Sequence, residues 1–153
     1  PELARVLKAS YVETQDCPEL GGLRRIDDII EGHGAVGTVE PGGWMLLRVH
    51  GSFEGAILVN RASDGRGHEL VYLGLSREVR GNGYGQMMLD HALHRVAASQ
   101  SRRMTLAVDS RNTPALSLYE RTGFRGSTRR HAFIRSVADG EAGKTSCPPT
   151  VDN

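Results

Sequence analysis

The stretch Leu73-Gly-Leu-Ser-Arg-Glu-Val-Arg80-Gly-Asn-Gly-Tyr-Gly85 leads an apolar strand into a glycine-rich turn. The residues that follow, from about Tyr84 to Ser99, have the apolar spacing of an amphipathic helix. A helix N-terminus presents unpaired backbone N–H groups and attracts anions, and glycines let a phosphate approach the backbone closely. Taken alone, the turn is as compatible with a tight strand–helix connection as with phosphate binding.

The register of the turn excludes two common nucleotide-binding motifs. The dinucleotide fingerprint would need a glycine where Gln86 stands, and the Gly-Lys-Ser or Gly-Lys-Thr of a nucleoside-triphosphate loop does not occur. The turn therefore needs a partner motif before its ligand can be named.

That partner is Asn112-Thr-Pro-Ala-Leu-Ser-Leu-Tyr119-Glu-Arg-Thr-Gly-Phe124. Thr113 can cap a helix whose first residue is Pro114, and Gly123 follows the last turn, where a left-handed residue is favoured. This segment is the most clearly delimited helix predicted in the chain.

The remaining elements complete an α/β pattern. Two helices are predicted in the first forty residues, the second ending at Gly32 and Gly34, and Pro41-Gly42-Gly43 reads as a break. Strands are predicted over Trp44–Val49 and Phe53–Asn60 as a hairpin, and then over Glu69–Leu75, Met104–Val108 and Arg129–Arg135. This order predicts a mixed sheet, part antiparallel and part parallel.

The two motifs together resemble the GNAT superfamily of acetyl-CoA-dependent N-acetyltransferases, and the resemblance covers roughly residues 44–135. It implies an α/β (α+β) fold with a mixed central sheet, antiparallel N-terminal strands, a splayed parallel pair at the cofactor site and flanking helices. The predicted domain spans 1–136, with a helical acceptor-side region over 1–40, an acetyl-CoA-binding core over 44–135 and a disordered tail over 137–153.

The resemblance also implies the binding residues for acetyl-CoA. Three backbone positions would line the pantetheine arm, six would hold the pyrophosphate, and one further residue would bond the arm. The positions lining the arm would be Leu73, Gly74 and Leu75, and the residue bonding it would be Asn112. The pyrophosphate would be held by Arg80, Gly81, Asn82, Gly83, Tyr84 and Gly85.

Two catalytic residues are predicted, Tyr119 and Glu69. The resemblance places Tyr119 at the thioester sulfur, where a phenol can donate a proton to the departing thiolate. Glu69 precedes Arg80 by eleven residues, the spacing of the basic glutamate in some histone-acetylating members. Members that acetylate ribosomal proteins carry a base where this chain has Ala107, and Asp109 or a water chain is an alternative. The other role open to Asp109 is to hold the loop before Asn112.

Composition fits one globular domain: the chain has 153 residues, of which 39% are hydrophobic. It lacks a run long enough to cross a membrane and a secretion-signal pattern at its start, which predicts a cytoplasmic setting.

Cys17 and Cys147 support neither a disulfide framework nor a zinc site. His91 and His94 lack a carboxylate or cysteine partner in register, so a solvated helix face is favoured and no metal is predicted.

Charge is unevenly distributed. Residues 1–76 carry seven basic and eleven acidic side chains, whereas residues 77–135 carry eleven basic and four acidic ones. This asymmetry suits an anionic cofactor and a cationic acceptor, although charge alone favours ordinary solvated side chains over that interpretation. Basic residues do not form a compact run with aromatics, which argues against nucleic acid as a partner.

We therefore expect direct transfer of the acetyl group from acetyl-CoA to a primary amine of a small molecule, peptide or protein. The alternative is a non-catalytic, CoA-binding regulatory domain. Because the family pattern usually begins with a strand before the first helix, we expect residues before Pro1 in the natural protein and an additional N-terminal domain there. A homodimer is compatible with the sequence.

Overall fold

The computed structural model describes residues 1–99, 101, 103–131 and 133. Within these residues, four helices and four strands follow one another in the order α1, α2, β1, β2, β3, α3, β4, α4. The helices are α1 Glu2–Ser10, α2 Ile26–Ala35, α3 Tyr84–Ala98 and α4 Thr113–Arg121, and the strands are β1 Thr38–Val49, β2 Ser52–Arg61, β3 His68–Leu75 and β4 Met104–Leu106. Two single-turn 3-10 helices cover Pro18–Leu20 and Arg77–Val79.

The strands form one mixed sheet in the order β1-β2-β3-β4. The β1–β2 and β2–β3 pairs are antiparallel, and the β3–β4 pair is parallel. Both the hairpin and the parallel pair predicted from sequence are therefore present.

Helices cover both faces of the sheet. On one face, α3 packs over a buried cluster that includes Ile57, Leu70 and Leu89. On the other face, α1 buries Val6 and Leu7 against Ala56. Each face of the sheet is apolar and loses contact with water on folding, which is the main force that holds the helices to it.

A β-bulge in β3 changes which face its side chains occupy. Leu58 pairs with Tyr72 and the next residue of β2, Val59, pairs with Leu70, so Val71 is the extra residue. As a result Leu70 packs under α3 whereas Tyr72, two residues later, packs toward α1.

Three elements differ from the sequence-based expectation. Helix α2 continues through Gly32 and Gly34 to Ala35. Neither glycine has a positive φ, and both adopt the helical backbone conformation that glycine can tolerate. Strand β1 begins at Thr38, and Pro41-Gly42-Gly43 lies within a large bulge of that strand. Strand β4 ends at Leu106 rather than Val108.

The predicted strand over 129–135 lies partly outside the described residues, and its described positions, 129–131 and 133, are not in a strand. The predicted tail over 137–153 lies wholly outside the described residues.

Candidate functional site

The glycine-rich turn joins β3 to α3 through two residues in the left-handed region. Gly81 has φ +78° and Gly83, the N-cap of α3, has φ +82°. A methyl group added at either position would meet no protein atom within 4 Å, so the space above the turn is open. Glycine is therefore required here for its backbone conformation.

The N-terminus of α3 lacks a capping side chain. Within the described part of the chain, none of the six backbone N–H groups of residues 81–86 donates a hydrogen bond to another described residue. The amide of Asn82 instead donates to the Arg80 carbonyl at 3.2 Å, and Gly85 lies against Leu118 of α4. A row of unpaired donors at the positive end of a fifteen-residue helix is a site for an anion such as a pyrophosphate.

A gap opens beside this turn where the parallel strands part. β4 pairs with β3 only from His68 to Leu70, whereas β3 continues for five more residues to Leu75. The edge of β3 from Val71 to Leu75 therefore has no strand partner on the β4 side among the described residues. An extended ligand can bond to such a free edge as a further strand would.

The three predicted pantetheine-binding positions lie on this free edge. Leu73 and Leu75 pack against the cluster under α3. The hydroxyl of Tyr72 occupies the space where a Cβ at Gly74 would lie, and it bonds to the hydroxyl of Ser10 at 2.5 Å. Gly74 is thus required by a contact inside the protein, which the sequence did not indicate.

Tyr119 lies on α4 and packs edge-on against Phe124, with ring centroids 5.8 Å apart. Burial raises the pKa of Tyr119 to about 12, and the negative charge of Asp16 adds to the effect. The phenol is therefore neutral at pH 7 and can donate a hydrogen bond. Its proton is held more tightly than that of a free tyrosine, so burial widens the gap to a thiol.

Asn112, and not Thr113 as the sequence suggested, is the N-cap of α4. Its side-chain oxygen accepts a hydrogen bond from the N–H of Ala115 at 3.3 Å. The interpretation of Gly123 is confirmed, since it follows the helix with φ +93°. Asn112 thus helps to fix the start of the helix that carries Tyr119.

The face of the sheet covered by α1 and α2 contains a cluster of aromatic residues that the sequence analysis did not identify. The ring of Tyr72 lies 5.7 Å from that of Tyr11 and 5.3 Å from the imidazole of His33. Burial raises the pKa of Tyr72 and lowers that of His33. These side chains come from three separate elements, so only the folded chain shows that they meet.

Glu69 lies at the closed end of the gap. It pairs with Asn60 of β2 and with Thr105 of β4, one residue before the pairing of the parallel strands ends. Because Leu70 faces α3, its neighbour Glu69 faces the side covered by α1 and α2. No described contact joins Glu69 to Tyr119, which packs with the α3 cluster.

Four charged residues, here called the Arg111 cluster, join the α1–α2 loop to the loop after β4; they are Asp16, Glu19, Asp109 and Arg111. Arg111 donates to both oxygens of Glu19, at 2.5 and 2.8 Å, and to Asp109 at 2.7 Å. Its guanidinium lowers the pKa of Glu19 to about 2 and lowers that of Asp109 as well. The Asp109 N–H donates to Asp16 at 3.1 Å, and the Cys17 N–H donates to Asp109 at 3.2 Å.

The alternative role suggested for Asp109 is therefore the one its contacts support. The sequence offered no signal for its link to the α1–α2 loop, because Glu19 and Arg111 are 92 residues apart.

The side chain of Arg80 bonds to the backbone of the protein and is not free to contact a phosphate above the glycine turn. Its guanidinium donates to the carbonyl oxygens of Leu75, Ser10, Val12 and Glu13 at 2.8 to 3.2 Å. Its backbone N–H donates to the Arg77 carbonyl. The contacts of Arg80 thus differ from those of the glycines that follow it.

Two further properties of the described residues concern metal-ligand groups and membrane-spanning helices. No group of three His, Cys, Asp or Glu side chains among them could hold a metal ion. His94, one of the two helix histidines, bonds to the carbonyl of Asp90 at 2.7 Å. Within the same residues, no helix has both the length and the apolar character needed to span a membrane.

A model of the acetyltransferase (GNAT) family matches residues 10–124. The chain is 31% identical over 107 residues to a mycothiol acetyltransferase of Streptomyces griseus subsp. griseus, covering 70% of this chain and 34% of that protein. It is 29% identical over 83 residues to the 5-NmdU N-acetyltransferase of Pseudomonas phage PaMx11, covering 54% of this chain and 57% of the phage protein. The chain therefore spans between about a third and just over half of these curated relatives.

Two solved structures show the same fold. PH1933 from Pyrococcus horikoshii OT3 superimposes with a TM-score of 0.67 at 21% identity, covering 85% of this chain and 83% of that one. The ribosomal-protein-S18-alanine N-acetyltransferase from Escherichia coli gives 0.60 at 16%, covering 84% and 76%. The chain belongs to the acetyltransferase (GNAT) family, whose members use acetyl-CoA as cosubstrate, and the predicted fold class is confirmed.

Proposed function

We propose that this GNAT domain transfers the acetyl group of acetyl-CoA directly to a primary amine. The observation that carries the proposal is the uncapped N-terminus of α3, with its unpaired N–H groups, next to the free edge of β3. An anion site and an adjoining backbone edge match the two ends of a CoA arm, a pyrophosphate and an amide-containing chain.

Binding would divide between the two parts of this surface. The N–H groups of the turn from Gly81 to Gly85 would hold the pyrophosphate. The free edge of β3 at Leu73 and Leu75 would bond the pantetheine amides, and Asn112 would lie at the opposite side of the gap. This arrangement would bring the thioester toward the buried phenol of Tyr119.

Tyr119 would act as the proton donor to the departing sulfur. Its pKa of about 12 keeps the phenol protonated at neutral pH. The phenol would give its proton to the sulfur and regain one from the nitrogen that becomes the amide. General acid–base catalysis of this kind contributes about 10²- to 10⁴-fold to a rate.

The acceptor ammonium must lose a proton before it attacks, a cost of about 4.6 kcal/mol at pH 7 for an alkyl amine. Glu69, close to the point where the strands part, would take that proton directly or through water.

A cationic acceptor is consistent with the charges that line its approach. Arg111 pairs with Glu19 and Asp109, and Arg77 pairs with Glu13. Among the described residues, Asp16 has no basic side chain within salt-bridge distance, although it lies in the same loop. We propose that the Asp16 carboxylate attracts the acceptor ammonium.

The test combines calorimetry with CoA and a thiol-release assay over a panel of amines: a diamine, an amino sugar, an aminomethyl nucleoside and a peptide with a free N-terminus. We expect CoA binding, acetylation of at least one amine, and a kcat for Tyr119→Phe lowered about 100-fold or more. The Kd for CoA should stay unchanged in this variant, because only the hydroxyl is removed.

Tight CoA binding with no acetylation of any amine would favour the non-catalytic regulatory alternative. Absence of CoA binding would contradict both functions. A cytoplasmic setting, a homodimer and an additional N-terminal domain stay predictions from the sequence.

A further inference from the structure

The guanidinium of Arg80 is bound almost completely by backbone carbonyls. An arginine side chain has five N–H donors, and here four of them reach carbonyl oxygens. Nε donates to Leu75 at 3.1 Å, one terminal nitrogen donates to Ser10 and Val12 at 2.8 and 2.9 Å, and the other donates to Glu13 at 3.2 Å. At most one N–H is left for any ligand.

Three of these carbonyls belong to the end of α1 and the turn after it. Ser10 is the last residue of α1, and its carbonyl is one of those that an α-helix leaves unpaired at its C-terminus. The negative end of a helix favours a cation. Arg80 thus supplies both the charge and the hydrogen bonds that this helix end lacks.

The fourth carbonyl places the helix end relative to the gap between β3 and β4. Leu75 is the last residue of β3, so Arg80 ties α1 to the β3 side of the gap. Seven residues after Ser10, Cys17 bonds to Asp109 on the loop that follows β4. Residues 10–17, here called the crossing segment, are therefore bonded to one side of the gap at their start and to the other side at their end.

We propose that Arg80 is a positioning residue that holds the crossing segment over the gap and so shapes the binding site for the acceptor. The inference rests on the proposed acetyltransferase function. It replaces the expectation that Arg80 is one of the residues that hold the pyrophosphate, and it leaves that role to the N–H groups of the glycine turn.

The two roles of Arg80 predict different responses to the same variants. A phosphate contact depends mainly on positive charge, which Arg80→Lys keeps. A four-carbonyl contact depends on the planar fork of donors, which a lysine ammonium cannot reproduce. Arg80→Gln removes both. Arg77→Gln is the matched control, because Arg77 contacts the same segment through one ion pair with Glu13 in which both side chains are more than half exposed.

The measurement compares acetyl-CoA with S-acetylpantetheine, which lacks the pyrophosphate, using the amine of the panel that the unmodified protein acetylates fastest. We expect Arg80→Lys and Arg80→Gln to raise the acceptor KM about tenfold or more with either donor. The calorimetric Kd for CoA should change less than about threefold. Arg77→Gln should match the unmodified protein in the acceptor KM and in the Kd for CoA.

The opposite pattern would overturn the proposal: a Kd for CoA weakened about tenfold, an unchanged acceptor KM, and recovery in Arg80→Lys. A loss of acetyltransferase activity seen with acetyl-CoA but absent with S-acetylpantetheine would also overturn the proposal. Denaturant unfolding of each variant shows whether it is folded under the assay conditions.

If no amine of the panel is acetylated, the acetyltransferase function itself has failed. A separate measurement, limited proteolysis, then still tests the role of Arg80. A glutamate-specific protease can cut after Glu13 inside the crossing segment. Faster cleavage there in both Arg80 variants than in Arg77→Gln, with the Kd for CoA unchanged, would support the positioning role. Equal cleavage in all three would refute it.

Discussion

Replacing Gly83 with alanine tests whether CoA binding depends on the left-handed conformation of the turn. Gly83 has φ +82°, and a Cβ at this position would meet no protein atom within 4 Å. Steric contact inside the protein therefore adds nothing to the effect. What remains is the backbone cost of holding an alanine in this region, about 1–2 kcal/mol.

That cost can appear in two places. If the turn keeps its conformation, the free energy of unfolding falls by the whole amount and CoA binds as before. If the turn relaxes, less stability is lost, and CoA binding must restore the strained conformation at the expense of affinity. The N–H groups of residues 81–86 make no described hydrogen bond that would hold the turn, so we expect it to relax. A loss of 1–2 kcal/mol in binding weakens the Kd about 5- to 30-fold.

Calorimetry with CoA and denaturant unfolding of the free protein together measure both contributions. Gly65→Ala is the matched control, since Gly65 has φ +66° and open space around its Cβ position but lies in the turn between β2 and β3. It should lose stability and keep its affinity for CoA. An unchanged Kd for Gly83→Ala, combined with little loss of stability, would refute the assigned pyrophosphate site.

Two further predictions concern stability. Asn60 is fully buried, accepts from the Trp44 indole at 2.7 Å and donates to the His33 and Val36 carbonyls at 2.7 Å each. Asn60→Ala should lower the free energy of unfolding by about 3 kcal/mol or more in denaturant titration, and a loss under about 1 kcal/mol would contradict the role of these bonds. Arg111 lowers the pKa of Glu19 to about 2 from an ordinary 4.5, so this pairing stabilises the fold fully above about pH 4.5 and is lost as the pH falls toward 2. Arg111→Gln should therefore flatten the dependence of stability on pH in that window, and an unchanged slope would contradict it.

Elements defined by local sequence could be predicted well. The glycine turn, the start of α3 and the left-handed Gly123 after α4 depend on residues within a few positions of one another, and each is found where the sequence placed it. The extension of β1 back to Thr38 was missed because it depends on pairing with β2 across a bulge, a tertiary effect that overrides the local glycine signal.

The contacts of single polar side chains could not be predicted. Arg80 follows the family spacing, yet its partners near Ser10 lie about seventy residues away in the chain. Arg111 was not singled out at all, although it joins the two loops that border the gap. A motif fixes where the backbone turns, whereas the direction of a long side chain depends on acceptors that folding brings near.

Because of the bulge at Val71, the side chains of β3 before and after it do not follow one continuous alternation between the two faces of the sheet. A strand with strict alternation would send Leu70 and Tyr72 to the same face, and the extra residue sends them to opposite faces. Deleting Val71 would make Leu70 and Tyr72 consecutive residues, so alternation alone would keep every position from Tyr72 to Leu75 on its present face. Strict alternation with Val71 retained would instead point the tyrosine into the apolar layer under α3 and Leu73 toward α1. The one extra residue is thus equivalent to turning over the half of the strand that borders the proposed cofactor site.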